Sequence, residues 1–288
     1  MKNRREYVLI ASELALKTRL ALGYDQKSTI CVYDAVEKTD IELRFDSNPG
    51  LEGVYYKATI PKIIIGSHRP AGRKAFTCAH ELGHHVFGHG TRVDEVKPDA
   101  VNIHSNEKEE FLADCFASFF LMPKRVIARC FSVRGWSPVD CSAVEYFIIA
   151  NSCGVSYEAV INHISLTLGM ISYSKAEELK RTKPKDIRAL IMGTETKEDV
   201  FLVDFHWGER AIDIQVGDYV ILPFNTKFEG SCAEYIEPGK RGIIYKAIKP
   251  GIGKCCNSEK NWSSFVRVSR RNYAGRSLFR HLEEVEDE

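Results

Sequence analysis

The nine residues Phe76-Thr77-Cys78-Ala79-His80-Glu81-Leu82-Gly83-His84 constrain this chain more than any other stretch. Pro70 and Gly72 precede them as an acceptable helix entry. Phe76, Ala79, Leu82, Gly83 and Val86 then place apolar or small side chains at helical spacing, which predicts a helix from about Ala71. His80 and His84 stand at i and i+4, so both imidazoles leave one face about one turn apart. Two ring nitrogens so placed can hold one metal ion. Glu81 sits about 100° round the helix from His80. It flanks such an ion rather than binding it, and is placed to take a proton from a water on the metal. The same spacing also occurs on solvated His/Glu faces of ordinary helices, so it needs a third ligand.

Glu107-Lys108-Glu109-Glu110-Phe111-Leu112-Ala113-Asp114 opens a second helical stretch that runs to Leu121. Glu110 and Asp114 are again i and i+4. Phe111, Cys115, Phe116, Phe119 and Phe120 cover much of the rest of that helix. A carboxylate pair on such a helix needs a reason to face inward. One zinc ion held by two His and one Glu, with its fourth position left to water, supplies the reason. Asp114 then accepts the outer N–H of a ligating imidazole, that of His80, and fixes its tautomer.

These segments, F-T-x-A-H-E-L-G-H, then E-x-x-A-D-x-F-A, then Leu121-Met122-Pro123, resemble the ImmA/IrrE family of metallo-endopeptidases, a branch of the Glu-zincins. The resemblance covers roughly the first half of the chain. It implies His80, His84 and Glu110 as zinc ligands and Glu81 as general base. Asp114 stands where many members carry Asn; either accepts a hydrogen bond from an imidazole. The resemblance also implies a regulatory protease that cuts a specific partner, often a helix-turn-helix repressor, in response to stress or mobile-element signals.

The metzincin pattern H-E-x-x-H-x-x-G-x-x-H does not fit. Gly88 and His89 fall one place early, and Gly90 occupies the position of the third His. A shift of one residue turns a helical side chain by about 100°. His85 and His89 form a second i,i+4 pair with Val86, not an acid, between them. They read as solvated or substrate-cleft histidines, with steadying of the oxyanion as their candidate role.

At 288 residues the chain suits one large domain or two smaller ones, and its 44% apolar content suits a buried core. A net charge of +1 gives no general attraction to nucleic acid or anionic lipid. No signal-peptide pattern and no membrane-length apolar run appear, so the expectation is a cytoplasmic protein with reduced thiols, of which nine are scattered along the chain.

Helices are expected over Glu6 to Leu22 and from near Ser28 to about Val36. Strands are expected at 41–45, 54–59 and 62–65, forming a small sheet that leads into the helix of the two histidines. An extended peptide can lie along the edge of such a sheet. Tyr55 and Tyr56 are cleft candidates there, against the plainer reading of ordinary strand aromatics. The polar residues between His89 and Glu107 read as an irregular loop, either a flap over the site or a plain connection.

After Pro123, helices are expected at 124–131, 142–152 and 156–168. The last two resemble a helix-turn-helix with Gly154 in the turn. The second of them lacks Lys and Arg, so packing is favoured over DNA contact. A charged run with breakers, Ser172 to Asp186, marks an expected boundary between a peptidase domain, 1–172, and a β-rich domain, 173–288. Short strands near 200–205, 212–214, 219–222, 242–248 and 264–268 suggest a small barrel or sandwich there. Cys255-Cys256 lacks the spacing of a metal site. Arg267, Arg270, Arg271, Arg276 and Arg280 form a basic stretch that can meet nucleic acid or an acidic partner, with a solvated face balanced by the acidic C-terminal end as the favoured reading.

The expected architecture is α+β: a helix-rich, zincin-like peptidase lobe with a small sheet, then a β-rich domain for sensing or substrate selection. The expected activity is zinc-dependent peptide hydrolysis, with one Zn2+ and a protein substrate, and neither nucleic acid nor membrane as a favoured partner. The alternative is a non-proteolytic DNA-binding or sensory regulator with a structural metal site.

Overall fold

Helix α1 (Arg4–Ala21) buries Ala11, Ala15 and Arg19. Arg19 is wholly buried and donates to three backbone carbonyls, of Phe120 (2.7 Å), Asp25 (3.1 Å) and Ser28 (2.6 Å). A buried guanidinium is tolerable only with partners of this kind. Helix α2 (Val32–Val36) begins later than the expected Ser28. The Asp25 carboxylate accepts from the backbone N–H of Lys27 (2.7 Å) and of Ser28 (2.6 Å), closing a side-chain turn where the helix was expected to start.

Strands β1 (Glu42–Asp46), β2 (Leu51–Tyr56) and β3 (Lys62–Gly66) follow. β1 pairs parallel with β3, and β2 pairs antiparallel with β3. Helix α3 (Ala71–Phe87) carries the two-histidine motif. Strand β4 (Arg92–Glu95) then adds to the free side of β2. This corrects the expectation of a wholly irregular loop after His89. It also makes β4, not β2, the sheet edge. At the opposite edge a two-residue strand, Gly275–Arg276, pairs antiparallel with β1. Helix α4 (Glu107–Leu121) carries Glu107, Glu109 and Glu110 in its first turn, where negative charge suits the helix dipole. These elements lie in one compact unit, Met1–Val126 with Ala274–Ser277.

The structure, a computed structural model, describes residues 4–95, 107–208 and 210–282. The loop residues Lys97, Pro98, Asp99, Asn102, His104, Ser105 and Asn106, and the acidic end Glu283, Glu284, Glu286, Asp287 and Glu288, lie outside the described residues.

Helix α5 (Lys124–Ser132) leads into the second compact unit, Ile127–Tyr273 with Leu278–Glu288. Helix α6 (Ala143–Cys153) starts at a capping box, Ser142 with Glu145. Helix α7 (Tyr157–Asn162) is shorter than the expected 156–168, because the chain continues as a π-helical turn over His163–Thr167. The charged run beyond it folds into helices α8 (Tyr173–Arg181) and α9 (Pro184–Met192), with Pro184 at the start of α9.

Eight strands complete the unit: β5 (Val200–Leu202), β6 (Ile212–Gln215), β7 (Tyr219–Leu222), β8 (Lys227–Glu229), β9 (Ala233–Pro238), β10 (Ile243–Ala247), β11 (Gly251–Asn257) and β12 (Trp262–Ser269). They form two four-stranded sheets, β5-β7-β10-β9 and β6-β12-β11-β8. Both sheets contribute to one core that includes Trp207, Ile212, Ile214, Val220, Leu222, Val266 and Val268. The chain is therefore α+β, with a zincin-like helical lobe followed by β-sheet. No helix among the described residues is long and apolar enough to cross a membrane.

Candidate metal centre and active site

Helices α3 and α4 pack closely because small residues face each other. A Cβ on Gly83 would stand 3.1 Å from a Phe116 ring carbon and 3.2 Å from Ala113 Cα. Gly83 immediately precedes His84, and Ala113 immediately precedes Asp114. This tight contact between the two helices therefore lies next to His84 and Asp114.

His80 Nε2 and His84 Nε2 stand 2.9 Å apart. Glu110 Oε2 is 3.2 Å from His80 Nε2 and 3.6 Å from His84 Nε2. The three donor atoms lie within 4.8 Å of one another, and among the described residues no fourth His, Cys, Asp or Glu joins the group. His80 and His84 are buried and Glu110 is half-buried. Two imidazoles and one carboxylate are a zinc donor set of the kind that leaves a coordination position open. The donors present therefore fit a divalent ion.

Each imidazole is also held at its far nitrogen. His80 Nδ1–H donates to Asp114 Oδ1 at 2.9 Å, as the sequence leads one to expect. His84 Nδ1 faces His89 Nδ1 at 2.8 Å. Without a metal the group behaves as an ion-pair cluster. Burial opposes charge on His80, but hydrogen bonds to Asp114 and Glu110 outweigh it and push its pKa up to about 10. The bonds from His80 and His84 hold the Glu110 carboxyl far below the usual carboxylate range. A metal ion bound by these donors would take the place of a proton at this cluster.

Glu81 is fully buried, at 0% exposure, on the same helix as both histidines. Strand β2 passes directly over it at Gly53. A Cβ there would lie 2.5 Å from Glu81 Oε1 and 2.5 Å from Thr77 Cγ2. The strand is held at this height by the adjacent Glu52, whose carboxylate pairs with Arg69 (3.1 Å) and Arg73 (2.9 Å). The sequence singled out neither Gly53 nor Gly83 for a role in the site. The signal for Gly83 lies in its place between His80 and His84, whereas nothing local marks Gly53.

The remaining candidates do not share one surface. His89 is buried rather than solvated; its ring stacks on Phe87, with centroids 5.4 Å apart and planes 11° from parallel. Tyr55 is buried, and its hydroxyl pairs with His85 Nδ1 at 3.1 Å. Burial lowers the pKa of His85 and raises that of Tyr55. Tyr56, next along β2, is half exposed.

Residues 36–165 match the family model of the IrrE N-terminal-like domain, Peptidase_M78. This part of the chain is similar to that family. The match runs from α2 into the π-helical turn, so it takes in strands β1 to β4 and the two helices of the candidate metal cluster. The match supports a metallopeptidase-like function, and the His80–His84–Glu110 cluster is compatible with it. A search of curated proteins finds no match to the chain.

Proposed function

We propose that this protein is a zinc-dependent metallo-endopeptidase, a cytoplasmic regulatory protease that cuts a specific protein partner such as a helix-turn-helix repressor. The observation that carries the reading is the triangle of His80, His84 and Glu110 with Glu81 beside it on the same helix. His80, His84 and Glu110 would hold the zinc ion, which would supply Lewis acidity when bound. Glu81 then takes a proton from the attacking water and passes it to the leaving amine. Its burial beneath Gly53 keeps the carboxylate in one place and away from bulk solvent. Asp114 orients the His80 ring through Nδ1. In this reading residues 1–172 perform the hydrolysis and residues 173–288 choose the substrate or sense a signal.

The alternative of DNA binding gains little support. Helix α7 contains no Lys or Arg, and Tyr157, Val160 and Ile161 are buried within the fold.

The test is Glu81→Gln, assayed against the product of a neighbouring repressor gene with and without chelator. The variant should keep bound zinc and lose cleavage by at least about 100-fold, the lower end of what a general base contributes. Cleavage at the wild-type rate by the variant, or by chelated wild-type protein, refutes the peptidase reading.

A further inference from the structure

We propose that His89 is a positioning residue of the metal centre: it accepts the Nδ1 proton of His84 and so turns a bare Nε2 of that ring toward His80 and Glu110. The inference rests on the metal-binding part of the reading above and not on hydrolysis.

The two rings meet nitrogen to nitrogen, Nδ1 to Nδ1, at 2.8 Å. At that distance one neutral imidazole donates and the other accepts. If His89 donated, the proton of neutral His84 would sit on Nε2, the atom 2.9 Å from His80 Nε2 and 3.6 Å from Glu110 Oε2. A protonated Nε2 cannot ligate a metal. With His84 as donor, Nε2 keeps a bare lone pair beside the other two donor atoms. The donor set therefore selects one of the two arrangements.

His89 is fixed in this role by the end of its own helix. Helix α3 closes at Gly88 in the left-handed region (φ 72°), and the next residue folds back so that His89 N–H donates to the His84 carbonyl at 3.0 Å. Backbone and side chain of His89 thus both engage His84. Stacking on Phe87 sets the plane of the ring. The two ligand histidines are consequently supported by unlike groups, His80 by an exposed carboxylate and His84 by a buried imidazole.

Two measurements on the full chain test the inference. Zinc titration against a competing chelating indicator should give His89→Leu an affinity lower by about 10- to 100-fold, as for other outer partners of ligand histidines. His89→Gln, whose amide oxygen can accept the same proton, should recover most of that loss. Nitrogen-15 imidazole spectra of the zinc-loaded wild type should show His84 protonated at Nδ1 and metallated at Nε2, with His89 Nδ1 as acceptor. The inference is overturned if His89→Leu, folded by circular dichroism, binds zinc as tightly as wild type. It is also overturned if His89→Gln loses as much as the leucine variant, or if the spectra put the shared proton on His89. Should the leucine variant not fold, the glutamine variant and the spectra decide. Wild-type protein that takes up no zinc defeats the metal centre itself, a different result from any of these.

Discussion

A single hydrogen atom at position 53 lets Glu81 stand where it does. Gly53→Ala would put a methyl group 2.5 Å from Glu81 Oε1 and 2.5 Å from Thr77 Cγ2, well inside contact distance. The strand cannot easily retreat, since Glu52 ties it to Arg69 and Arg73. The carboxylate must move instead. Gly53→Ala should therefore lower kcat/KM by about 100-fold or more, within the range credited to a general base. Bound zinc should be unchanged, because the three donors are untouched. Assays of cleavage and metal content on one preparation check this; wild-type turnover would show that Glu81 is not confined there. The contrast between Gly53 and the donors also explains what could be read in advance. His80, His84, Glu110 and Asp114 sit in two i,i+4 pairs, and helix geometry turns such spacing into a shared face without further knowledge. Gly53 reaches Glu81 only through strand register, and His89 reaches His84 only because the helix ends at Gly88. Both depend on how the backbone turns after or away from the motif, which residue spacing does not encode.

At the level of elements, the candidate metal centre depends on the distance between α3 and α4. Gly83 sets that distance, with its Cβ position already 3.1 Å from Phe116 and 3.2 Å from the backbone of Ala113. Ala here brings opposing effects, a gain in helix propensity against a tight contact. Gly83→Val is unambiguous: two further methyl groups press on a backbone that cannot yield without separating the helices. It should destabilise the unit by about 1–3 kcal/mol, as overpacking does. It should also weaken zinc binding by moving Glu110 away from both imidazoles. Thermal melts with and without zinc check this. A variant that melts like wild type and binds zinc equally well would place the helix spacing under some other control. Long periodic elements were legible for the same reason the donors were: α1, α3, α4 and α6 lie within about two residues of their expected bounds. The strands β4, β8, β9 and β11 were not. β9 shows no alternation of burial, exposing nearly every residue, and β11 is interrupted by Gly253 and paired cysteines. Their pairing comes from neighbours, seven consecutive partners on β12 in the case of β11.

Across the whole molecule, the two compact units should answer to different perturbations. The first holds the metal cluster, so zinc at a hundredfold excess over Kd should add about 2.7 kcal/mol to its stability, and chelation should remove it. The second contains no part of that cluster but places Asp213 beside two arginines and a histidine. Arg267 binds it through two bonds (2.8 and 2.5 Å), with Arg280 at 3.6 Å and His281 at 3.4 Å. Burial disfavours the Asp213 charge, yet His281, Arg280 and Arg267 outweigh it and hold the carboxyl far below its ordinary 3.8. A group whose folded-state pKa is depressed contributes stability that is present above the unfolded value and lost as pH falls below it. The acid limb assigned to Asp213 therefore begins near pH 4 and deepens downward. Asp213→Asn should cost about 2 kcal/mol at neutral pH, between the values for exposed and buried pairs, since 20% of the side chain meets solvent. Below pH 4 the variant should lose less further stability than wild type, because it has no carboxylate left to protonate. Its zinc affinity at neutral pH should equal that of wild type. Urea unfolding followed from pH 7 to pH 2.5, beside a zinc titration, separates these effects. Parallel acid limbs in the two proteins would show that Asp213 is not the group that titrates, and a fall in zinc affinity would show that the two perturbations are not separable.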